Sequence, residues 1–289
     1  MSTLDSQVTN PMIAQLQCGR FRLTLERPLI MGVVNITPDS FSDGGRFLDP
    51  AAAIAHAHKL IEEGADLVDL GAESSRPGAA AVVSADEELH RLLPVLRGLR
   101  DVPVPVSVDT IKPEVMRAAL AEGAAMINDI NALRAPGAVD AVAATAAAVC
   151  LMHMQGTPGT MQRHPSYGDV VAEVKAFLLE RVGAACAAGI APERIAIDPG
   201  FGFGKTLEHN LALLRHLREF DALGVPVLAG WSRKSSLGTI TGKPATDRLA
   251  ASIAAALIAA QNGARILRVH DVAATRDALA VLAAVEQNR

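Results

Sequence analysis

Short apolar runs rich in Val, Ile and Leu recur along this chain at residues 29–35, 67–72, 104–109, 125–130, 149–154, 195–198, 225–229 and 266–270. Their length and β-branched content predict strands. Longer segments with helix-like spacing lie between them, among them 50–63, 85–100, 113–121, 170–188, 207–223 and 247–261. Asp49-Pro50 offers an N-cap followed by proline in the first turn, and Gly64, Gly123, Gly189 and Gly263 sit where helices should end. Strand–helix alternation predicts a parallel sheet, because parallel neighbours need a crossover connection. Eight such units favour an α/β fold closed as a (β/α)8 TIM barrel, with an open doubly wound sheet as the alternative. Ahead of the first run, residues 15–27 alternate in the manner of strands around Cys18-Gly19-Arg20, which predicts a small β-hairpin capping the barrel's bottom. The expected organisation is an N-terminal segment over 1–28 and a single barrel domain over 29–289.

Polar residues collect at one end of these runs. Asn35, Glu73, Asp109, Asn128 with Asp129, His153, Asp198, Ser232, and Arg268 with His270 all fall at or just past the C-terminal end of an apolar run. That end of a parallel barrel is the face on which active sites are built. Any one of them can be read as a cap for the following helix; the whole set on one face points to a ligand. Period-two alternation puts Ser107 with Asp109, Ala196 with Asp198 and Arg268 with His270 on shared faces. Asn128 and Asp129 must face oppositely, and the pattern leaves open which of them points inward.

Composition narrows the classes. The chain has 289 residues, 50% of them hydrophobic but only 3% aromatic, so the core is built from Ala, Val, Leu and Ile. A formal net charge of −4 argues against a general nucleic-acid binder. Cys18, Cys150 and Cys186 are odd in number and lack metal-ligand spacing, which reads as free thiols in a reducing cytoplasm. No basic-then-apolar leader opens the chain, and the Ala-rich stretches near 141–152 and 250–260 are too short to span a bilayer, so no membrane association is expected. Asn35-Ile36-Thr37 matches a glycosylation sequon, but the secretory context is missing.

Two loops carry further chemistry. Gly204-Lys205-Thr206 imitates the end of a P-loop, but the first glycine of that motif would fall at Pro199. A glycine turn that lets backbone and Phe203 approach a flat ligand fits the segment 198–206 better, with a plain loop as the bland alternative. Ser232-Arg233-Lys234-Ser235-Ser236 opens a helix whose N–H groups and cations suit an anion or a heterocycle, against the alternative of a solvated basic helix start. Met152, His153 and Met154 read as packing rather than catalysis.

The segments 31–45, 72–78, 107–109, 127–129, 152–154, 198–205, 232–235 and 268–271, in this order, resemble the motifs of the dihydropteroate synthases, and the resemblance covers nearly the whole chain. One departure is Ala72-Glu73-Ser74-Ser75, where many members read Gly-Glu-Ser-Thr; the hydroxyl is kept at Ser75. The resemblance implies an enzyme, a transferase, that joins p-aminobenzoate to 6-hydroxymethyl-7,8-dihydropterin diphosphate and releases diphosphate. It implies that Asp109, Asn128, Asp198 and Lys234 hydrogen-bond the pterin, and that Met152, Gly202 and Phe203 line its pocket. Ser75, Arg268, Val269 and His270 would meet the diphosphate, and Asn35 would ligate Mg²⁺. Phe41, Arg76, Pro77, Lys234 and Ser235 would form the p-aminobenzoate site, with 37–45 acting as a movable lid. Asp109, Lys234, Arg268 and His270 are then the catalytic set, in a dissociative substitution that needs no strong general base. A homodimer is also expected. A corrinoid-dependent pterin methyltransferase is the nearest rival, disfavoured because it needs no diphosphate site; a non-catalytic homologue would be expected to have lost some of these residues.

Overall fold

The structure is a computed structural model that describes residues 13–36, 49–73 and 83–286. Eight parallel strands close into a barrel: β3 (Leu29–Asn35), β4 (Leu67–Gly71), β5 (Val106–Asp109), β6 (Met126–Asp129), β7 (Ala148–Met152), β8 (Ile195–Asp198), β9 (Val227–Ala229) and β10 (Ala264–Val269). β10 pairs back onto β3, so the open-sheet alternative is excluded. Burial on both faces explains why the strands read as nearly unbroken apolar runs.

The helices follow in alternation: α1 (Pro50–Glu62), α2 (Ala85–Gly98), α3 (Pro113–Ala121), α4 (Ala138–Ala143), α5 (Val170–Ala187), α6 (Leu207–Arg215), α7 (Ser235–Thr241), α8 (Leu249–Gln261) and α9 (Val272–Glu286). Asp49 caps α1 by accepting from Ala51 N–H, and Asp169 caps α5 by accepting from Val171 and Ala172. The expected long helix over 207–223 stops at Arg215 and continues as a 3₁₀ turn over Leu217–Leu223.

The hairpin of β1 (Gln15–Cys18) and β2 (Phe21–Thr24) closes the bottom. Leu16, Cys18 and Leu25 pack there against the inward side chains Leu29, Met31, Leu67, Met126, Ala148, Ala196, Leu228 and Ile266. This apolar plug fills the lower barrel. Alternate residues of the same strands, one or two layers higher, therefore face the axis just below the open mouth.

Candidate active site

The inward register fixes what reaches the mouth. Leu67 faces the axis, so Asp69 and Gly71 do as well; Met126 does, so Asn128 follows; Ala148, Cys150 and Met152 share a face, as do Ala196 with Asp198 and Ile266 with Arg268. The choice between Asn128 and Asp129 is thereby decided. Asn128 points inward and donates to Asp69 Oδ2 at 3.1 Å. Asp129 points outward and accepts from Asn131 N–H and Leu133 N–H, each at 2.7 Å, which pins a loop in which Ala132 and Leu133 both have positive φ.

A guanidinium sits at the centre. Arg268 Nε donates to Asp69 Oδ2 at 2.6 Å and its Nη2 donates to Asp109 Oδ2 at 3.1 Å. Burial works against the Arg268 charge, but the Asp69 and Asp109 carboxylates outweigh it and hold its pKa above the usual value. Burial pushes the Asp109 carboxyl up to about 7, against the pull of Arg268 and with the repulsion of Asp69. Burial also raises Asp198, whose Oδ1 accepts from Gly200 N–H at 2.7 Å.

Lys234 projects from the loop before α7 and donates to the Phe201 carbonyl. Its Nζ stands 4.8 Å from the Phe203 ring centroid. Burial lowers its pKa to about 8, with Asp198 pulling the other way. Phe203 joins Ile111, Ile130, Met152, Met154 and Met161 in an apolar cluster beside the mouth. A flat, weakly polar surface thus faces a ring of carboxylates, an amide and an ammonium. That combination suits a planar heterocycle with N–H donors on one edge and an acceptor on another.

The other expected site residues are distributed as follows. Asn35 ends β3 with its Oδ1 3.9 Å from where a Cβ at Gly71 would stand. His270 lies just past β10; its N–H donates to Ser232 Oγ at 3.2 Å, and its Nδ1 lies 2.9 Å from the same oxygen. Val269 faces outward into the layer between barrel and helices, so only its backbone borders the mouth. Ser235 is exposed at the start of α7, and Gly202 approaches Lys234, whose Cδ would lie 3.4 Å from a Cβ placed there. Phe41, Ser75, Arg76, Pro77 and the lid segment 37–45 lie outside the described residues. Glu73 serves the scaffold: with Glu88 it binds Lys112 Nζ.

Two residues were missed from the pattern. Asp69 is a charge in the middle of the run Leu67-Val68-Asp69-Leu70-Gly71, a signal that was there to read. In the sequence Lys205 stands out only as the end of a false P-loop and of the motif over 198–205. It is 3% exposed, and its Nζ contacts His153 Nδ1 at 2.9 Å and the carbonyls of Phe203 at 3.0 Å and His153 at 3.3 Å. Burial drives the Lys205 pKa down to about 7 and that of His153 down to about 3. A cavity of about 410 Å³ lies at the opposite end of the barrel, beside Phe21, Leu99, Val106 and Leu120, away from these groups.

The sequence family described as pterin binding enzyme matches residues 31–270, and the chain belongs to that family. Within it, the chain is similar to dihydropteroate synthases. The chain is 52% identical over 279 residues to the dihydropteroate synthase of Neisseria meningitidis serogroup B, covering 94% of this chain and 98% of that one. It is 49% identical over 263 residues to the Escherichia coli K12 enzyme, covering 91% and 93%. Among solved structures, the Xanthomonas albilineans dihydropteroate synthase with 4-aminobenzoic acid superposes with a TM-score of 0.89 at 57% identity, covering 94% of this chain and 98% of that one. The Burkholderia cenocepacia enzyme complexed with 7,8-dihydropteroate gives 0.87 at 52%, covering 96% and 98%.

Proposed function

We propose that the barrel mouth binds 6-hydroxymethyl-7,8-dihydropterin diphosphate and transfers its pterinylmethyl group to the amine of p-aminobenzoate, forming 7,8-dihydropteroate and diphosphate in folate biosynthesis. The observation that carries this reading is the convergence of Asp109, Asn128, Asp198 and Lys234 on one mouth beside the Met152–Phe203 surface. The ligands of the Xanthomonas and Burkholderia relatives support it.

The Asp109 and Asp198 carboxylates and the Asn128 amide pair with the pterin's polar edge, Lys234 meets its acceptors, and Phe203 and Met152 cover a face. His270, the backbone at Val269, and Ser75 take the diphosphate. Arg268 borders both parts of the substrate, but two carboxylates already damp its charge. His270 therefore carries more of the charge compensation on the diphosphate than Arg268 does, and an ion held by Asn35 would add to it. Asn35 fits Mg²⁺, which prefers hard oxygen ligands and keeps waters and substrate phosphates, so one protein amide oxygen suffices. When bound, the ion would offset charge on the leaving diphosphate.

The bond between the pterin methylene and the diphosphate oxygen breaks with its electron pair leaving on diphosphate. Asp109 and the electron-rich ring stabilise the methylene cation, the arylamine nitrogen adds to it, and the proton lost from that nitrogen passes to diphosphate or water. Preorganised charge rather than a strong base lowers the barrier. The p-aminobenzoate site includes Lys234 and Ser235, together with Phe41, Arg76 and Pro77 from outside the described residues. The chain works in the cytoplasm as a homodimer: Cys18, Cys150 and Cys186 are free thiols, and an exposed apolar stripe on α8 and α9 is available for a second copy. No helix among the described residues is long and apolar enough to cross a membrane.

Mixing the two substrates with Mg²⁺ should release diphosphate one-for-one with dihydropteroate. With pterin diphosphate alone, oxygen scrambling between bridging and non-bridging positions should mark a dissociative route. Binding of both substrates without diphosphate release would sink the synthase reading; absence of scrambling would favour concerted displacement.

A further inference from the structure

Asp69 has no role in the site as assigned above. It lies mid-strand in β4, fully buried, in register with Val33 of β3 and Ser107 of β5. Its Oδ2 accepts from both Arg268 Nε and Asn128 Nδ2, at 2.6 Å and 3.1 Å. In the closed order, β10 and β6 each stand two strands from β4, on opposite sides of it. Layers of barrel interiors are supplied by alternate strands and are usually filled by branched apolar side chains. In this layer a carboxylate, an amide and a guanidinium occupy such positions.

Stability gives no reason for that choice. Replacing buried ionic groups by apolar residues of similar volume is often neutral or stabilising. The network is also incompletely satisfied, since Asp69 Oδ1 and Ser107 Oγ are buried with no hydrogen-bond partner among the described residues. Orientation does give a reason. The Nε contact fixes the guanidinium plane, with Nη2 directed at Asp109. Donation from Asn128 Nδ2 locks that amide in one flip, which turns its Oδ1 away from Asp69 as an acceptor.

We propose that Asp69 is a positioning residue: without touching the substrate, it aims the Arg268 guanidinium and presents Asn128 Oδ1 as an acceptor to an N–H of the pterin. This rests on reading the mouth as the pterin site.

The test compares Asp69→Leu, which removes both bonds, with Asp69→Asn, whose amide oxygen can accept both without the charge. Dissociation constants for pterin diphosphate are measured by calorimetry, KM for p-aminobenzoate at saturating pterin, and folding by thermal midpoint. Asp69→Leu should raise the pterin dissociation constant by about tenfold or more, with Asp69→Asn recovering most of the loss and KM for p-aminobenzoate within about twofold of the parent. A smaller pterin effect, an equal loss for both substrates, or no recovery in Asp69→Asn would overturn the proposal. If Asp69→Leu does not fold, Asp69→Ser takes its place under the same thresholds. Asn128→Ala and Asp198→Ala run in parallel: if they too leave pterin binding unchanged, the pterin reading of the mouth has failed rather than the role of Asp69.

Discussion

Lys234 is the residue on which the proposed chemistry leans most. Its ammonium is half-buried between Phe203 and the Asp198 side of the mouth, and burial brings its pKa down to about 8. Lys234→Ala should abolish turnover, by about 100-fold or more in kcat, while a thermal melt shows the fold intact. The pH dependence has a definite sign. The protonated form is the binding form, so the Lys234 contribution to pterin diphosphate affinity is full below about 8 and falls as pH rises through that value. Calorimetry from acid to alkaline pH checks this, and a profile without such a fall would remove Lys234 from the pterin contacts. At this scale the sequence was informative wherever a polar residue ended an apolar run, as Asp109, Asn128 and Asp198 do. Alternation alone could not choose between Asn128 and Asp129, because the choice depends on which face of β6 meets the apolar plug. Asp69 escaped because it interrupts a run instead of ending one.

The element that shapes the pterin surface is the loop between β8 and α6. A turn was legible in its glycines, but not their tolerance. Gly200, Gly202 and Gly204 have φ of +73°, +82° and +64°, and a Cβ at Gly200 would lie 1.9 Å from the His153 carbonyl oxygen. Gly200→Ala should therefore cost at least about 2 kcal/mol in chemical denaturation, from left-handed strain plus that clash. Side chains distant in sequence then clamp the loop: Tyr167 Oη donates to the Gly204 carbonyl at 2.8 Å, Gly202 N–H donates to Asn210 Oδ1 at 2.7 Å, and Lys205 ties it to His153. The ties to Tyr167 and His153 span 37 and 52 residues and leave no local pattern. The folded pKa of Lys205, about 7, lies below the ordinary lysine value of 10.5. Its contribution to stability is thus present above about pH 10.5 and is lost as pH falls through about 7. Lys205→Met should flatten the rise of the thermal midpoint with pH across that interval; an unchanged slope would mean that folding does not lower the pKa of Lys205.

For the whole molecule, barrel closure was legible because eight strand–helix repeats leave no edge strand to explain, and the hairpin was legible because it alternates where the barrel strands do not. What covers the outer helices was less so, since an Ala-rich helix looks alike whether it packs against a barrel or a partner. The structure separates the two faces of α8. On the inner face, Ser252 Oγ accepts from Arg233 N–H at 3.0 Å, and Arg248, at the N-cap position, donates to the Arg233 and Lys234 carbonyls. The outer face exposes Ala250, Ala254 and Ile258, with Leu249 beside them, and adjacent α9 exposes Val281 and Val285. Ile258 at 45% and Val281 at 66% exposure leave large side chains in water, where a second copy would bury them. On this account the 30.2 kDa chain should sediment as a dimer, and Ile258→Glu with Val281→Glu should shift it to the monomer mass. Because the ties to the Lys234 loop lie on the opposite face of α8, kcat should fall by less than about threefold on dissociation. A parent protein sedimenting as a monomer at micromolar concentration would refute the dimer, and a large loss of kcat in the dissociated variant would show that the partner, rather than Arg248 and Ser252 alone, holds the Lys234 loop in place.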